Sequence, residues 1–496
     1  MAEFPPVRVR FAPSPTGRMH LGSARTALYN FLLAQRTGGK FILRVEDTDF
    51  KRTVPGAEEE LINALHWLGI HWDEGPDVGG SYGPYRQSER KDIYLQYARQ
   101  LIDSGSAYPC FCTSERLASI RQERVKRKES INYDGFCRHI DPDEAARRVA
   151  SGAKYVIRFK SPQEGITTVF DLLRGKIVVD NHQIDDFVLV KSDGWALYHL
   201  AALVDDHLMK ITHVFRSSEW LPTFPLHSLV IRAFGWDEPK WIHLSVFLKP
   251  SGKGKMSKRE LEHASQDGYS IFVKDLEELG YIPEGILNWI VLMGWGVAED
   301  DVMSIKDMIE RFDINHLNPS AASINFSKLD HFNGTHIRML SNHDLTNRIK
   351  PFFIRAGYNV NDEQLSRIVP IIRERLVTLD DALSFAGFFF NDTISPVPEE
   401  LIGNNMSIVE SLKVARRAYE MLSGLVDITP ELAEPPLRGL VDEMGLKAGQ
   451  IFGILRVAIT GQVISPPLFE SMAIIGKEKV LQRLQNAISI LEKMGN

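Results

Sequence analysis

His20, Gly22 and Ser23 close the stretch VRVRFAPSPTGRMHLGS, residues 7–23, which joins a strand to a helix. Val7, Val9 and Phe11 alternate with Arg8 and Arg10, the period-two pattern of a strand. Pro13, Ser14, Pro15, Thr16 and Gly17 then impose a bend. From there Ala24, Ala27, Leu28, Phe31 and Leu32 fall on one helix face. A helix N-terminus carries unpaired N–H groups and a partial positive charge, so this junction is a candidate phosphate site. Its wording is neither G-x-x-x-x-G-K-S/T nor G-x-G-x-x-G. A second strand, KFILRV at 40–45, runs into Glu46, Asp47 and Asp49. Acids at the carboxyl end of a strand in an open α/β sheet lie where ligands bind. Downstream, residues 249–260 (KPSGKGKMSKRE) form a glycine- and lysine-rich loop. Cys110, Cys112, Cys137 and His139 are spaced Cys-x-Cys-x24-Cys-x-His. Three thiolates and one imidazole suit a closed, structural tetrahedral zinc site that stabilises a small lobe.

The elements that must hold these groups are legible in outline. Residues 57–68 form an amphipathic helix with Leu61, Ile62, Leu65 and Leu68 on one side. Residues 106–185 differ in character: they contain every cysteine, a basic run (Arg121, Arg124, Lys126, Arg127, Lys128) and short strands such as 155–159. They read as an insertion in the sheet, which resumes with a strand at 187–190, a helix at 196–205 and a strand at 211–215. A helix follows at 224–234, with Leu226, Leu229, Val230 and Ala233 together. Beyond 260 the pattern is helical, at 284–295, 304–312, 341–356, 362–387, 407–425, 437–444 and 477–493, with breaks near 391–406 and 429–436. The fold class is α/β in front and all-helical behind.

A chain of 496 residues forms several domains. Apolar content of 44% and charged content of 25% are those of an ordinary soluble protein. The net charge of −6 gives no hint of nucleic acid, but local basic patches, not global charge, attract it. Three cysteines make no disulfide framework, which points to a reducing, cytoplasmic location. The longest nearly apolar stretch, 286–295, is too short to span a bilayer, so no membrane role is expected. With a first strand by about Val7, neither a secretory signal nor a transit peptide is expected.

The first stretch resembles the His-x-Gly-His signature of class I aminoacyl-tRNA synthetases, with Ser23 in place of the last histidine. Its wording, RFAPSPTG followed by HLGSARTALYNFLLA, is similar to that of the bacterial glutamyl-tRNA synthetases. Gly254–Lys255–Met256–Ser257–Lys258–Arg259 resembles their KMSKR signature. RVEDTD, LYHLA, VDDHLM and ITHVFRSSEWL also look like that family, although RSSEW departs at Ser217 and Ser218 from its usual wording.

The resemblance implies ATP- and Mg²⁺-dependent activation of glutamate and its transfer to tRNA(Glu), with tRNA(Gln) open as a second acceptor. Productive activation would wait for tRNA. His20, Lys255 and Lys258 would be catalytic, Lys258 the principal lysine. His20, Gly22, Ser23, Glu219, Trp220, Lys255, Ser257, Lys258 and Arg259 would border ATP. Lysines aimed at the oxygens that gain charge as pyrophosphate leaves stabilise the transition state more than bound ATP. Ser23 can still donate through its hydroxyl. Arg10, Ser14, Glu46, Tyr198 and Arg216 would contact glutamate. The residue types agree: arginine forks hold carboxylates and a carboxylate holds the ammonium. Which arginine takes which carboxylate stays open. Cys110, Cys112, Cys137 and His139 would hold Zn²⁺, as in a subset of that family.

The implied architecture is a Rossmann-like parallel-sheet catalytic domain (1–105 and 186–248) with an inserted α/β acceptor-binding domain (106–185). A KMSKR loop and stem-contact domain (249–335) and a helical anticodon-binding region (336–496, two subdomains divided near 391–406) would follow. The basic run in the insertion is a candidate contact for the acceptor end. Arg373 and Arg375 are candidate anticodon readers, since unpaired bases are read by side chains that stack on them and bond their edges. A monomer is expected.

Overall fold

The computed structural model describes residues 7–252, 254, 269–296 and 301–495. They form two compact units, one of residues up to 276 with 286–326, the other of 277–285 with 327 onward.

The strands that shape the first unit are β1 (Arg8–Phe11), β2 (Lys40–Leu43), β3 (Ala107–Cys110), β4 (Val156–Phe159), β5 (Ile166–Asp171), β6 (Gly175–Asp180), β7 (Val188–Val190), β8 (His213–Ser217) and β9 (Lys240–Leu244). Its main helices are α1 (Leu21–Thr37), α2 (Ala57–Trp67), α3 (Lys91–Asp103), α4 (Ser114–Arg127), α5 (Pro142–Ala150), α6 (Tyr198–Leu208) and α7 (Phe224–Ala233).

β1 and β2 are parallel, Arg8 opposite Lys40 and Phe11 opposite Leu43. Residue 39 must be glycine for this approach, because a Cβ there would lie 2.2 Å from the Val7 carbonyl oxygen. On the other side of β1, the Thr212 N–H donates to the Arg8 carbonyl at 2.9 Å as the chain enters β8. β8 and β9 run parallel from His213–Lys240 to Ser217–Leu244. β5 joins β9 in parallel at Asp171–Trp241, and β6 closes that edge antiparallel. The segment 106–185 therefore divides: β3 and β4 make an antiparallel ladder with β7, which is expected to resume the parallel sheet and instead pairs with β4, while β5 adds to the parallel sheet. β1, β2, β8 and β9 all end on one side, where a crevice forms in a parallel α/β sheet. Arg10, Glu46 and Arg216 lie at or just past those ends.

On β1, Arg10 is buried beside Val9 and Phe11. Its outer face is covered, and Asp206 of α6 meets the buried guanidinium at 3.0 Å. α1 starts at Leu21, ahead of the expected Ala24, so Gly22 and Ser23 lie inside its first turn. His20 is its N-cap, the imidazole accepting the Ser23 N–H at 3.3 Å. α4, which carries the basic run, buries none of its residues.

The second unit is helical, with Asn342–Arg355, Asp362–Ile372, Asp381–Ala386, Ile408–Ser423, Pro430–Met444, Ala448–Thr460, Leu468–Ile475 and Lys477–Gly495. Its apolar residues gather in two clusters. One includes Leu345, Phe353, Leu365 and Phe389; the other includes Leu401, Val414, Leu437, Ile454 and Leu484. The predicted helix 362–387 is broken by a tight turn at Arg373–Arg375. The predicted helix 437–444 instead begins at Pro430, with Pro435 and Pro436 inside it. Among the described residues, no helix is long and apolar enough to cross a membrane.

Candidate active site

A cavity of about 550 Å³ opens beside the end of the parallel sheet, and His20, Gly22, Ser23, Glu219 and Trp220 all line it. The first three arrive on the start of α1, where helix N–H groups favour an anion. The imidazole of His20 also lies 3.2 Å from the Ser23 hydroxyl. Gly22 makes room for that ring, since a Cβ at 22 would lie 3.0 Å from His20 Cε1. Glu219 and Trp220 follow β8 in the tight turn Ser218–Thr223, where the Ser217 hydroxyl accepts the Glu219 N–H at 3.3 Å. Among the described residues, Phe247 and Ile271 also line the cavity, and in sequence they flank the lysine-rich segment. Lys255, Ser257, Lys258 and Arg259 lie outside the described residues.

Beside the cavity, Trp220 faces Tyr198 at a ring-centroid distance of 4.5 Å. Tyr198 is at the start of α6, within electrostatic range of Arg216, Glu46 and Arg10. Four of the five predicted glutamate contacts are thus brought together. The fifth, Ser14, is exposed on the bend after β1, and that bend is tied to the group where Pro13 accepts the Glu46 N–H at 2.9 Å.

A buried charge network supports this cluster. Asp206 receives Arg10 Nε at 3.0 Å and Arg44 Nη1 at 2.7 Å. Arg44, with no exposure, reaches Glu46 at 3.3 Å and Asp205 at 3.6 Å. Burial pushes the Asp206 carboxyl up, but Arg10 and Arg44 more than reverse this and hold it below the ordinary carboxylate range. Sequence reading missed Arg44, Asp205 and Asp206. The available signal was two acids in an otherwise apolar helix and an arginine within an apolar strand, where unpaired charges are excluded.

Glu46 differs from Asp206. Burial raises its carboxyl to about 7, against the pull of Arg44 and Arg10. Between the ordinary carboxyl range and that value the folded protein holds a proton that the unfolded chain releases, so this group's contribution to stability falls as pH rises through the window. A substrate ammonium that pairs with ionised Glu46 must displace the same proton. The KM of an amino-acid substrate is therefore expected to rise about tenfold per pH unit below about pH 7. A KM that stays flat from about pH 8 to 6 would remove Glu46 from the binding set.

Arg216, on β8, is buried, and burial lowers its pKa while Tyr198 opposes the fall. Its Nε donates to His243 at 2.8 Å and its Nη1 to His227 at 2.7 Å. Its Nη2 is buried and meets the geometric criteria for a hydrogen bond with none of the described residues, while nearby Tyr198 favours the cation. The arrangement offers a fixed guanidinium to a carboxylate.

In the insertion, the donor atoms of Cys110, Cys112 and Cys137 lie within 4.8 Å of one another, with Cys112 and Cys137 sulfurs 3.6 Å apart. His139 does not join them. It is exposed at the end of the turn that buries Cys137, and neighbouring Arg138 is tied to Asp186 at 2.6 Å. The polar groups that reach the sulfurs are the Tyr133 hydroxyl, 3.4 Å from Cys110 and 3.3 Å from Cys112, which also accepts the Cys137 N–H at 2.8 Å, the Arg116 guanidinium, which donates to Cys112 at 3.2 Å, and the Phe111 N–H, which donates to Cys137 at 3.4 Å. In the helical unit, Arg375 is exposed and half-buried Arg373 donates to Asn342.

A strand–helix anion site at the edge of a parallel sheet, with an amino-acid-shaped set of charges beside it, defines a class I tRNA synthetase catalytic domain. Residues 6–331 match a family model described as the catalytic domain of class I tRNA synthetases (E and Q), and residues 344–488 match one described as an anticodon binding domain. The chain is 43% identical to a glutamate–tRNA ligase of Dehalococcoides mccartyi, covering 98% of this chain and 99% of that protein. It is 44% identical to one of Chloroflexus aurantiacus, covering 99% of each. A crystal structure of a glutamate tRNA ligase from Elizabethkingia meningosepticum, in complex with its amino acid, superposes with a TM-score of 0.88 at 37% identity, covering 97% of this chain and 99% of that one. The chain belongs to the glutamate–tRNA ligase family. Enzymes of its class use ATP.

Proposed function

We propose that this chain activates L-glutamate with ATP and passes it to the 3′-terminal adenosine of tRNA(Glu). In the first step an α-carboxylate oxygen of glutamate bonds to the α-phosphorus of ATP, and the bond to the β-phosphate bridging oxygen breaks, releasing pyrophosphate. In the second, a ribose hydroxyl attacks the acyl carbon and AMP leaves. His20 and the first turn of α1 hold phosphate oxygens; Trp220 and Glu219 border the nucleotide. Lys258, assisted by Lys255, meets the charge that grows on the leaving pyrophosphate. Mg²⁺ would shield the phosphates. Glu46 takes the substrate ammonium, and Arg10 and Arg216 its carboxylates, with Ser14 and Tyr198 completing the contact.

The observation that carries this reading is a buried arginine held by uncharged partners next to the phosphate cavity. Arg10 and Arg44 are already paired with Asp206, whereas Arg216 keeps its charge for a ligand. Aminoacylation of purified tRNA(Glu) and tRNA(Gln) with labelled glutamate tests it. Charging of tRNA(Glu) is expected; no charging of either would overturn it, and charging of both would extend the substrate range. We read the helical rear as the anticodon-binding part, with Arg373 and Arg375 as candidate readers, and the location as cytoplasmic, in keeping with three unpaired thiols.

Cys110, Cys112 and Cys137 fit zinc: three converging sulfurs in one small apolar cluster leave a single further position, and Tyr133 supplies the nearest oxygen. Bound there, zinc would supply a structural cross-link to the lobe. About one zinc per chain is expected by elemental analysis after dialysis, falling at least tenfold in Cys112→Ser. Zinc-free dialysed protein would contradict this.

A further inference from the structure

The partners of Arg216 fix their own protonation. A guanidinium only donates, so each nitrogen facing it must be a bare acceptor. His243 accepts from Arg216 through Nε2, so its proton sits on Nδ1, 2.6 Å from Asp171 Oδ2. The same carboxylate oxygen accepts the His243 backbone N–H at 3.0 Å. His227 accepts through Nδ1, so its proton sits on Nε2 and is donated to His199 Nδ1 at 3.0 Å. Three neutral imidazoles and one carboxylate thus form a chain from β5 through β9, β8 and α7 to α6. His227 and His243 have no exposure, and burial keeps them and His199 below the ordinary histidine range. The guanidinium also lies over the Trp241 ring, 4.5 Å from its centroid.

This differs in kind from the other arginines of the cleft. Asp206 orients Arg10 and Arg44 with a shared carboxylate. Among the described residues no carboxylate lies within hydrogen-bond distance of Arg216; two imidazoles orient it and leave its charge whole. We propose that His227 and His243, the latter anchored by Asp171, are positioning residues that aim Nη2 of a fully charged Arg216 at the carboxylate of glutamate. The proposal rests on the reading that Arg216 binds the substrate. Had either position carried an acid, Arg216 would be neutralised and the advantage of an anionic over an amide substrate reduced.

The test is tRNA-dependent ATP–pyrophosphate exchange with His243→Phe and His227→Phe, each of which keeps a ring and removes the acceptor. His243→Gln and His227→Asn restore an acceptor near the lost nitrogen. Each Phe variant is expected to raise the glutamate KM about thirtyfold, with kcat and the ATP KM within about twofold, and the matching amide variant to recover most of the loss. A glutamate KM unchanged in both Phe variants would overturn the proposal, as would an equal rise in the ATP KM that neither amide relieves. Arg216→Ala in the same assay separates the two readings. A raised glutamate KM there beside silent Phe variants sinks only the positioning role, whereas an unchanged one removes Arg216, and the proposal with it.

Discussion

Arg216→Ala is expected to lower kcat/KM for glutamate by about a thousandfold, roughly 4 kcal/mol, while leaving the ATP KM within about twofold. The size follows from what is lost. A buried, charge-assisted pair with a carboxylate disappears, and the partner carboxylate must then enter the same pocket with no cation to meet it. The selectivity follows from position: Arg216 ends β8 on the side of Tyr198 and Glu46, while the phosphate cavity is lined by His20 and the start of α1. Lysine at 216 would keep the charge and lose the fork that His227 and His243 grip, so it should recover only a small part. A kcat/KM for glutamate unchanged in Arg216→Ala would remove this residue from the site.

The second large effect is on stability. Asp205 has no exposure and accepts from Arg90 Nε at 2.7 Å, Tyr94 Oη at 2.8 Å and Gln87 Nε2 at 2.9 Å, with Arg44 a further 3.6 Å neighbour. Asp205→Ala strips an anion from beside two buried guanidiniums and leaves two neutral donors unpaired. Breaking one side of a buried ion pair costs about 3–5 kcal/mol, and the urea midpoint should fall accordingly. Asp205→Asn keeps acceptors and should cost less. A midpoint unmoved in Asp205→Ala would show that the network contributes nothing net, as buried ion pairs can.

Local patterns carried a good part of this site into view. His20, Gly22 and Ser23 were readable because a strand, a bend and a helix start follow one another within a single stretch, whereas Glu219 and Trp220 came only from the family resemblance. All five line one cavity. What stayed hidden depends on distant pairing. Nothing near Asp171 announces that it anchors His243, or near His227 that it grips Arg216; the sheet and α7 bring them together. Arg10 was legible as a candidate ligand residue, but not its partner Asp206, which is 196 residues away. The ligand spacing Cys-x-His suggested His139, but the turn places Tyr133 on the sulfurs instead. Pro435 and Pro436 disguised a helix whose Ala433, Leu437 and Leu440 bury one face. There the tertiary contact outweighs the local cost of proline.

In the proposed function one cleft holds ATP at the start of α1 and glutamate at Arg10, Glu46 and Arg216. Exchange of labelled pyrophosphate into ATP, run with tRNA(Glu) and with glutamate, glutamine or aspartate in turn, reports that joint occupancy directly. Exchange that needs tRNA(Glu) and glutamate, and is at least about a hundredfold weaker with glutamine, is the predicted result. Exchange supported equally by glutamine, or none with glutamate in the presence of tRNA(Glu), would contradict it.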